Sequence, residues 1–214
     1  YKVAPWVDEM IAKGITNFYK VENNIKKYYS ISSGSYQSPS SGGVGEAAFI
    51  VMKNFENETV WKNSGCRTYH LGNDVLGLEW YTKMGSIGGE VLEGVQKSIT
   101  LAEEKYKGLV IANEGTNFSA GANVGMIFML AIEQDYDEID MAIRQFQQSI
   151  MRVRYSSIPV VVAPHGLALG GACEMSMHAD KVIPAAETYT GLVEVGIGVI
   201  PGGAGTKEFV LRAA

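Results

Sequence analysis

The 214-residue chain is poor in cysteine and histidine. Its two cysteines, Cys66 and Cys173, are too few and too far apart to form a disulfide framework, so we expect a reduced, cytoplasmic location. The three histidines, His70, His165 and His178, show no metal-ligand spacing with each other or with the cysteines. The sequence therefore predicts no metal site.

Basic clusters and long apolar runs are also missing. The chain has 18 Lys and Arg against 23 Asp and Glu, a net charge of −5, which argues against a nucleic-acid partner. No stretch approaches the roughly 20 apolar residues that a membrane span needs, and no signal peptide is recognisable at the first residues. With 46% hydrophobic and 19% charged residues, the composition is that of a globular domain with a core.

The first 45 residues differ from the rest. Apolar residues recur there at i, i+3, i+4, i+7 and i+8 and predict an amphipathic helix ended by Gly14: Val3, Trp6, Val7, Met10 and Ile11. Two short strands are predicted on either side of residues 22–24. The Ser/Gly/Pro-rich run at residues 32–45 is typical of a flexible linker. This pattern predicts a short N-terminal helix-hairpin appendage.

From about residue 46 onward, predicted strands alternate with predicted helices. Strands are expected at AAFIVMK, TYHLGNDVLGLEWY, KGLVIAN, IPVVVAP and DKVIPA. Helices are expected at GGEVLEGVQKSITLAEEKY, VGMIFMLAIEQ, DEIDMAIRQFQQSIMRV and GACEMSMHA. The stripe Met126, Met129, Leu130 is expected in the core or on a pocket wall. The alternation indicates an α/β fold with parallel strands.

Two glutamates stand in glycine-rich surroundings near the end of the chain. Glu194 is the one charged residue between Gly191 and Pro201, and Glu174 follows a Gly-Gly pair. Burial of a lone carboxylate raises its pKa, and two such groups together are typical of proton-transfer sites. A loop position, from which each glutamate points into water, remains an alternative for either one alone.

Three glycine-rich turns each follow an apolar strand. They are NFSAGANVGM, HGLALGGACEM and VGIGVIPGGAGT. The helix predicted directly after Gly170-Gly171 directs its free N-terminal amides toward the second turn, and with an amide of the first turn these would form an oxyanion hole. The alternative is three ordinary tight turns of an α/β fold. The spacing Gly196-x-Gly198-x-x-x-Gly202 does not fit a dinucleotide-binding loop.

Over residues 46–214, these three segments resemble the signature segments of the crotonase (enoyl-CoA hydratase/isomerase) superfamily. The resemblance implies an α/β crotonase-like β-β-α spiral. The whole chain also resembles bacterial proteins that fuse a 3-hydroxyacyl-CoA dehydrogenase to an enoyl-CoA hydratase. This second resemblance implies that residues 1–38 are the tail of an upstream dehydrogenase-like domain, 39–45 a linker, and 46–214 a crotonase-like domain that is incomplete at its C-terminus.

The resemblance also implies roles for individual residues. The backbone amides of Ala122 and Gly171 would hold the thioester oxygen, and Glu174 and Glu194 would hold and activate water. The residues expected to contact the substrate are Ser119, Ala120, Gly121, Asn123, Gly170 and Gly202. The sequence departs from the family pattern at Asn123, where Asp is usual, at His165, where Asn is common, and at Ala204, where Gly is common.

The activity that the resemblance implies is syn hydration of a 2-enoyl-CoA to a 3-hydroxyacyl-CoA in fatty acid β-oxidation. Enoyl-CoA isomerisation and an inactive acyl-CoA-binding fragment are the alternatives. The expected ligand of this chain is the coenzyme A thioester alone, and NAD is expected only for the dehydrogenase part. A homo-oligomer based on trimers, as in the family, is also expected, with no nucleic-acid or membrane partner.

Overall fold

The computed structural model describes residues 3–22, 25–38 and 50–213. The chain divides into two compact units, Tyr1–Ile50 and Val51–Ala214. The linker expected at residues 39–45 lies outside the described residues, so the domain boundary stays a prediction.

The first unit contains one helix and a three-stranded antiparallel sheet. Helix α1 (Pro5–Ala12) begins with a proline, whose missing N–H needs no partner at that position. The strands, in the sheet order β1-β2-β3, are β1 (Tyr19–Glu22), β2 (Ile25–Ser30) and β3 (Ser35–Gln37). Aromatic rings form its core: Phe18 lies 5.3 Å from Trp6 and 6.1 Å from Tyr29 between ring centroids.

The helix and the first two strands confirm the expected appendage, but the third strand corrects it. Strand β3 lies inside the run that was predicted to be a flexible linker. Tyr36 explains the difference, because its ring packs 5.8 Å from Tyr29 and its hydroxyl donates to the carbonyl oxygen of Asn17. One aromatic side chain thus orders a segment whose composition alone is that of a linker. Asn23 and Asn24, at the predicted hairpin turn, lie outside the described residues.

The second unit alternates strands and helices, as predicted. Its strands are β4 (Thr59–Lys62), β5 (Cys66–His70), β6 (Val75–Trp80), β7 (Gly108–Ile111), β8 (Val160–Val162), β9 (Leu167–Leu169), β10 (Lys181–Val182) and β11 (Tyr189–Gly191). Its α-helices are α2 (Gly89–Lys105), α3 (Val124–Glu133), α4 (Tyr136–Arg154), α5 (Gly171–His178) and α6 (Gly205–Ala213). Short 3-10 helices cover Met52–Glu58, Lys83–Gly85 and Glu194–Ile197.

Six strands of this unit form one mixed sheet in the order β10-β8-β7-β6-β5-β4. The pairs that join β6, β7, β8 and β10 are parallel, and those that join β4, β5 and β6 are antiparallel. Strands β9 and β11 pair in parallel as a separate two-stranded sheet. Ile111 is paired with Val162, so the turns after β7 and β8 leave from the same edge. Ligands of α/β sheets bind at such an edge.

The core lies between the six-stranded sheet and helices α2 and α4. One face of α2 is fully buried at helical spacing: Val91, Val95, Ile99 and Ala102. Helix α4 adds Ile150 and Val153, and the sheet adds Leu76, Leu78, Leu109, Ile111, Val160 and Val162. The last turns of α4 are therefore anchored in the core.

Two predictions for this unit were wrong. The described part of the predicted strand AAFIVMK contains no strand: Ile50 and Val51 have no regular structure, and Met52 begins the 3-10 helix Met52–Glu58. Met52 packs into the space beside Gly77. Met126 and Met129 on α3 are about half exposed, so the expectation that this stripe lies in the core is wrong, whereas its position on a pocket wall stays a prediction. Helix α3 packs along α4 rather than on the sheet, so its apolar side chains find no core to enter.

Candidate active site

The turn that follows β7 lies against the turn that precedes α5. The Gly121 amide donates to Oγ of the fully buried Ser119 over 3.0 Å. Gly121 has φ +89°, and a Cβ placed there would lie 2.8 Å from the Leu169 carbonyl oxygen and 3.5 Å from the Gly171 nitrogen. Only glycine fits this close approach of two backbones. Ser119 therefore shapes the turn from inside, and the turn meets the start of α5.

The two amides expected to form the oxyanion hole both lie at this junction. Gly171 is the first residue of α5, after Gly170 with φ +52°. Ala122 is fixed beside Ile87, whose amide donates to the Gly121 carbonyl oxygen over 2.9 Å. Within the described part of the chain, neither the Ala122 nor the Gly171 N–H has a hydrogen-bond acceptor. Each amide is available to a ligand, and the role of both as donors to one oxygen atom stays a prediction.

Glu174 lies on α5, a helix whose eight residues are all buried. Its side chain is 2% exposed, and its Oε1 accepts a 2.9 Å hydrogen bond from the Gly205 amide at the start of α6. A Cβ on Gly203 would lie 2.3 Å from Glu174 Oε2, and one on Gly205 would lie 2.8 Å from its Cγ. The Gly203–Gly205 turn thus wraps closely around this carboxyl group.

Glu194 opens the 3-10 helix Glu194–Ile197 and brings a second carboxyl group to the same place. Its Oε1 would lie 2.9 Å from a Cβ on Gly170. Its Oε2 is buried and has no hydrogen-bond partner among the described residues. A buried, unpaired carboxylate oxygen is costly unless a ligand supplies a donor. Glu194 Oε2 is therefore available to accept a hydrogen bond from a ligand.

The charge of Glu194 affects the pKa of Glu174. Burial is the main cause that raises the pKa of Glu174, and the charge of Glu194 raises it further. The amides of Gly205 and Gly203 act in the opposite direction, because they stabilise the ionised form. Burial also raises the pKa of the neighbouring Cys173 thiol, so this cysteine is a protonated packing residue rather than a nucleophile.

Phe146, on α4, closes the apolar side of the site, and the sequence analysis missed it. A Cβ on Gly171 would lie 2.8 Å from its Cζ, and one on Gly203 would lie 2.3 Å from its Cε1. The ring therefore fills the space between the oxyanion turn and the turn around Glu174. Phe146 precedes the buried Ile150 by four residues, so the apolar stripe of α4 was visible. The sequence did not show that this stripe continues beyond the core and over the site.

The remaining residues expected to contact substrate take definite positions. Ala120 lies in the first turn, where its amide donates to the Met84 carbonyl oxygen. The Asn123 Oδ1 accepts from the Met126 amide over 3.3 Å and caps α3, so replacement of the usual Asp keeps the cap without its charge. The Gly202 carbonyl oxygen accepts from Gln147 Nε2 over 2.7 Å. Direct contact with substrate stays a prediction for each.

His165, which has no metal-ligand spacing in the sequence, contacts the backbone. His165 Nε2 lies 2.6 Å from the Gly115 carbonyl oxygen. In residues 3–22, 25–38 and 50–213, no group of three or more His, Cys, Asp or Glu side chains could hold a metal ion. The same residues contain no helix that is long and apolar enough to cross a membrane.

Known protein families and solved structures resemble this chain. The family model described as enoyl-CoA hydratase/isomerase matches residues 81–214, more than half of the chain. The chain belongs to the enoyl-CoA hydratase/isomerase family. Solved members support the crotonase-like fold: an enoyl-CoA hydratase from Thermoplasma volcanium matches with a TM-score of 0.61 and 25% identity, over 69% of this chain and 58% of that one. One from Bacillus anthracis matches with a TM-score of 0.62 and 24% identity, over 68% and 57%.

Curated relatives of greater length also match. A probable 3-hydroxyacyl-CoA dehydrogenase of Bacillus subtilis is 40% identical over 210 residues, which cover 97% of this chain and 26% of the relative. A putative fatty acid oxidation complex trifunctional enzyme of Rickettsia prowazekii is 30% identical over 158 residues, 74% of this chain and 22% of the relative. The chain spans about a quarter of the length of these relatives.

Proposed function

We propose that this crotonase-family chain carries the active site of an enoyl-CoA hydratase, which adds water in syn geometry across a 2-enoyl-CoA. The observation that carries the proposal is the pair of carboxyl groups at one glycine-lined site. Glu174 has one oxygen fixed by the Gly205 amide, and Glu194 has a buried oxygen without a partner among the described residues.

The chemistry follows from what hydration needs. One carboxylate accepts a proton from a water molecule as its oxygen bonds to C3 of the enoyl group, and the other carboxyl group delivers a proton to C2. The C2–C3 double bond becomes a single bond, and no redox partner is needed. The exchange requires one of the two groups to be ionised and the other to carry a proton.

The oxyanion hole acts on the intermediate stage of this addition. Attack at C3 moves electron density onto the thioester oxygen, and this negative charge is stabilised by N–H donors that are already in place. In the proposal, the amides of Ala122 and Gly171 supply these donors. The positive end of the α5 dipole adds to the effect. Phe146 excludes water from one side, which strengthens these interactions.

A direct assay tests the proposal. The complete protein is supplied with a short and a long 2-enoyl-CoA, and loss of the conjugated thioester absorbance is followed together with formation of 3-hydroxyacyl-CoA. The same protein is supplied with a 3-enoyl-CoA. Hydration of a 2-enoyl-CoA is expected. Double-bond migration without hydration would assign the isomerase activity instead, and binding without turnover would leave an acyl-CoA-binding module.

We also infer that the complete protein carries 3-hydroxyacyl-CoA dehydrogenase activity and that NAD binds outside this chain. The names of the longer relatives in Bacillus subtilis and Rickettsia prowazekii support this inference. Calorimetry on the 214-residue chain is expected to show no NAD binding, whereas the complete protein binds NAD. Measurable affinity in the chain itself would refute the predicted boundary at residues 39–45. A cytoplasmic, trimer-based oligomer completes the proposal, and light scattering tests its assembly.

A further inference from the structure

A group of charged side chains surrounds one buried carboxylate on the helix that follows the Gly203–Gly205 turn. At its centre is Glu208 on α6, whose side chain is 1% exposed. Its Oε2 accepts a 2.9 Å hydrogen bond from Arg154 Nη1 on α4 and lies 3.7 Å from Arg212 Nε. Its Oε1 lies 2.9 Å from Lys207 Nζ and 3.6 Å from His178 Nε2 on α5. One carboxylate thus connects three helices.

Two of these helices, α5 and α6, are also joined at Glu174. Gly205, whose amide donates to Glu174 Oε1, precedes Glu208 by three residues, so both lie in the first turn of α6. His178 follows Glu174 by four residues on α5, and its Nδ1–H donates to the Glu174 carbonyl oxygen over 2.7 Å. The contacts of the Glu174 carboxyl group and those of Glu208 therefore involve the same turns of α5 and α6.

The turn that leads into α6 is strained and needs such support. Ala204 has φ +66°, a left-handed conformation that is unfavourable for residues with a side chain. Its neighbours Gly203 and Gly205 have no room for a Cβ because the Glu174 side chain fills it. Strained conformations persist where the surroundings over-determine them. The ion pairs of Glu208 provide a restraint of this kind one turn away.

The charges around Glu208 keep it ionised. Although burial acts in the opposite direction, Lys207 and Arg154 lower the pKa of Glu208. The side chains of Arg154, Lys207 and Arg212 are 34%, 45% and 51% exposed, so Glu208 is the buried member of these pairs. Loss of a cationic partner leaves this buried carboxylate less well compensated. In the neutral form of His178, Nδ1 holds the proton, and Nε2 has no hydrogen-bond partner in the described part of the chain. Glu208 is thus the carboxylate on which this group depends.

We propose that Glu208 is a positioning residue: the ion pairs of its buried carboxylate hold the first turn of α6 so that the Gly205 amide is aimed at Glu174. The inference rests on the proposed hydratase function for its kinetic consequence but not for its structural one. The charged partners of Glu208 among the described residues are Arg154, Lys207, Arg212 and His178 rather than the Glu174 carboxyl group, so it acts through the Gly205 amide.

The variant Glu208→Gln tests this in the complete protein, because it keeps the size of the side chain and removes its charge. We expect kcat for hydration to fall about 10- to 100-fold, the scale of a catalytic group displaced by about 1 Å, while KM stays within about twofold. In a crystal structure of the variant, the distance from the Gly205 nitrogen to Glu174 Oε1 is expected to exceed about 3.5 Å, beyond a hydrogen bond.

A matched control is Glu103→Gln. Glu103 on α2 pairs with Arg152 Nη2 over 2.7 Å, and Arg152 lies two residues before Arg154 on α4. This variant also removes an ion pair of the last turn of α4, yet it leaves the α6 turn untouched. Its kcat and its distance between Gly205 and Glu174 are expected to match the wild type.

The outcomes separate the two proposals. An unchanged 2.9 Å distance and wild-type kcat in folded Glu208→Gln would overturn the positioning role. If wild-type protein hydrates no enoyl-CoA, the proposed function fails, and the distance still decides the role of Glu208. If Glu208→Gln does not fold, Arg154→Gln takes its place, since it removes the bond to Glu208 Oε2. A lengthened distance there supports the inference, and an unchanged one refutes it.

Discussion

The carboxyl group of Glu174 accepts a hydrogen bond from the backbone amide of Gly205, 31 residues further along the chain. This bond joins the central buried helix α5 to the first turn of α6. It fixes one carboxyl oxygen while burial and the charge of Glu194 raise the pKa of the group. A buried carboxyl group that is held in place and has a raised pKa is suited to proton transfer.

The raised pKa of Glu174 predicts how stability depends on pH. Because its pKa in the folded state lies above the ordinary value of 4.5, the folded state holds this proton more tightly than the unfolded state. The associated stability is present below the unfolded pKa and is lost as pH rises through the folded pKa. Glu174→Gln cannot ionise, and its amide oxygen still accepts from Gly205. The variant should therefore gain stability relative to wild type as the pH rises.

Urea denaturation of both proteins at pH 5 and at pH 8 measures this difference. The free energy of unfolding of Glu174→Gln minus that of wild type is expected to be more positive at pH 8. Glu104→Gln, at an exposed position on α2, is the control and should show no such change. A difference for Glu174→Gln that is constant or falls with pH would show that its pKa is not raised.

The oxyanion hole predicts a specific difference between two substitutions of Gly171. Both Gly171→Ala and Gly171→Pro place a Cβ against Phe146, where the available distance to Cζ is 2.8 Å. Only the proline also removes the amide donor, and proline is compatible with the first position of a helix. Loss of one donor costs on the order of 100- to 1,000-fold in rate.

Steady-state hydration rates of the two variants, both shown to be folded by circular dichroism, measure this effect. The proline variant is expected to be slower than the alanine variant by that factor. Equal rates in the two folded variants would remove the Gly171 amide from the mechanism.

Ala204→Gly is predicted to stabilise the protein. Ala204 has φ +66°, and glycine relieves a strain of about 1–2 kcal/mol there. The greater freedom of glycine in the unfolded chain takes back about 0.5–1 kcal/mol. The net gain in the free energy of unfolding is therefore between about 0 and 1.5 kcal/mol.

Thermal and urea denaturation of Ala204→Gly provide the measurement. The exposed Ala131→Gly on α3 is the opposite control, because glycine inside a regular helix destabilises by about 1 kcal/mol. Loss of stability in both variants would mean that Ala204 is not strained.

Much of the fold and part of the site could be predicted from local patterns. Helix α5 and the glycine turn before it follow from Gly170 and the apolar residues after it, and helix α2 follows from its 3.6-residue period. Glu174 and Glu194 stand out because each carries charge in apolar surroundings. Their expected roles came from the resemblance to a family, and the structure places them at one site.

The rest depends on contacts between distant segments. Phe146 reaches the site only because α4 crosses α5, and the ion pair of Arg154 with Glu208 joins residues 54 apart. His178 has no metal-ligand spacing in the sequence, and its buried position beside Glu208 could not be predicted from that spacing. Tyr36 orders a strand inside a Ser/Gly-rich run. Periodicity within one segment carries no information about which other segment lies across from it.

The central claim is that Glu174 and Glu194 together hydrate an enoyl-CoA, and one set of rates tests it most directly. Glu174→Gln and Glu194→Gln keep the shape of each side chain but remove its capacity to accept or give a proton. The hydration rate of a 2-enoyl-CoA by the complete protein is measured for wild type, both variants and the exposed control Glu104→Gln, together with the Kd of the CoA ester. The account predicts a loss of about 100-fold or more for each of the two variants, wild-type turnover for the control and little change in Kd. A near-wild-type rate in either variant would contradict it.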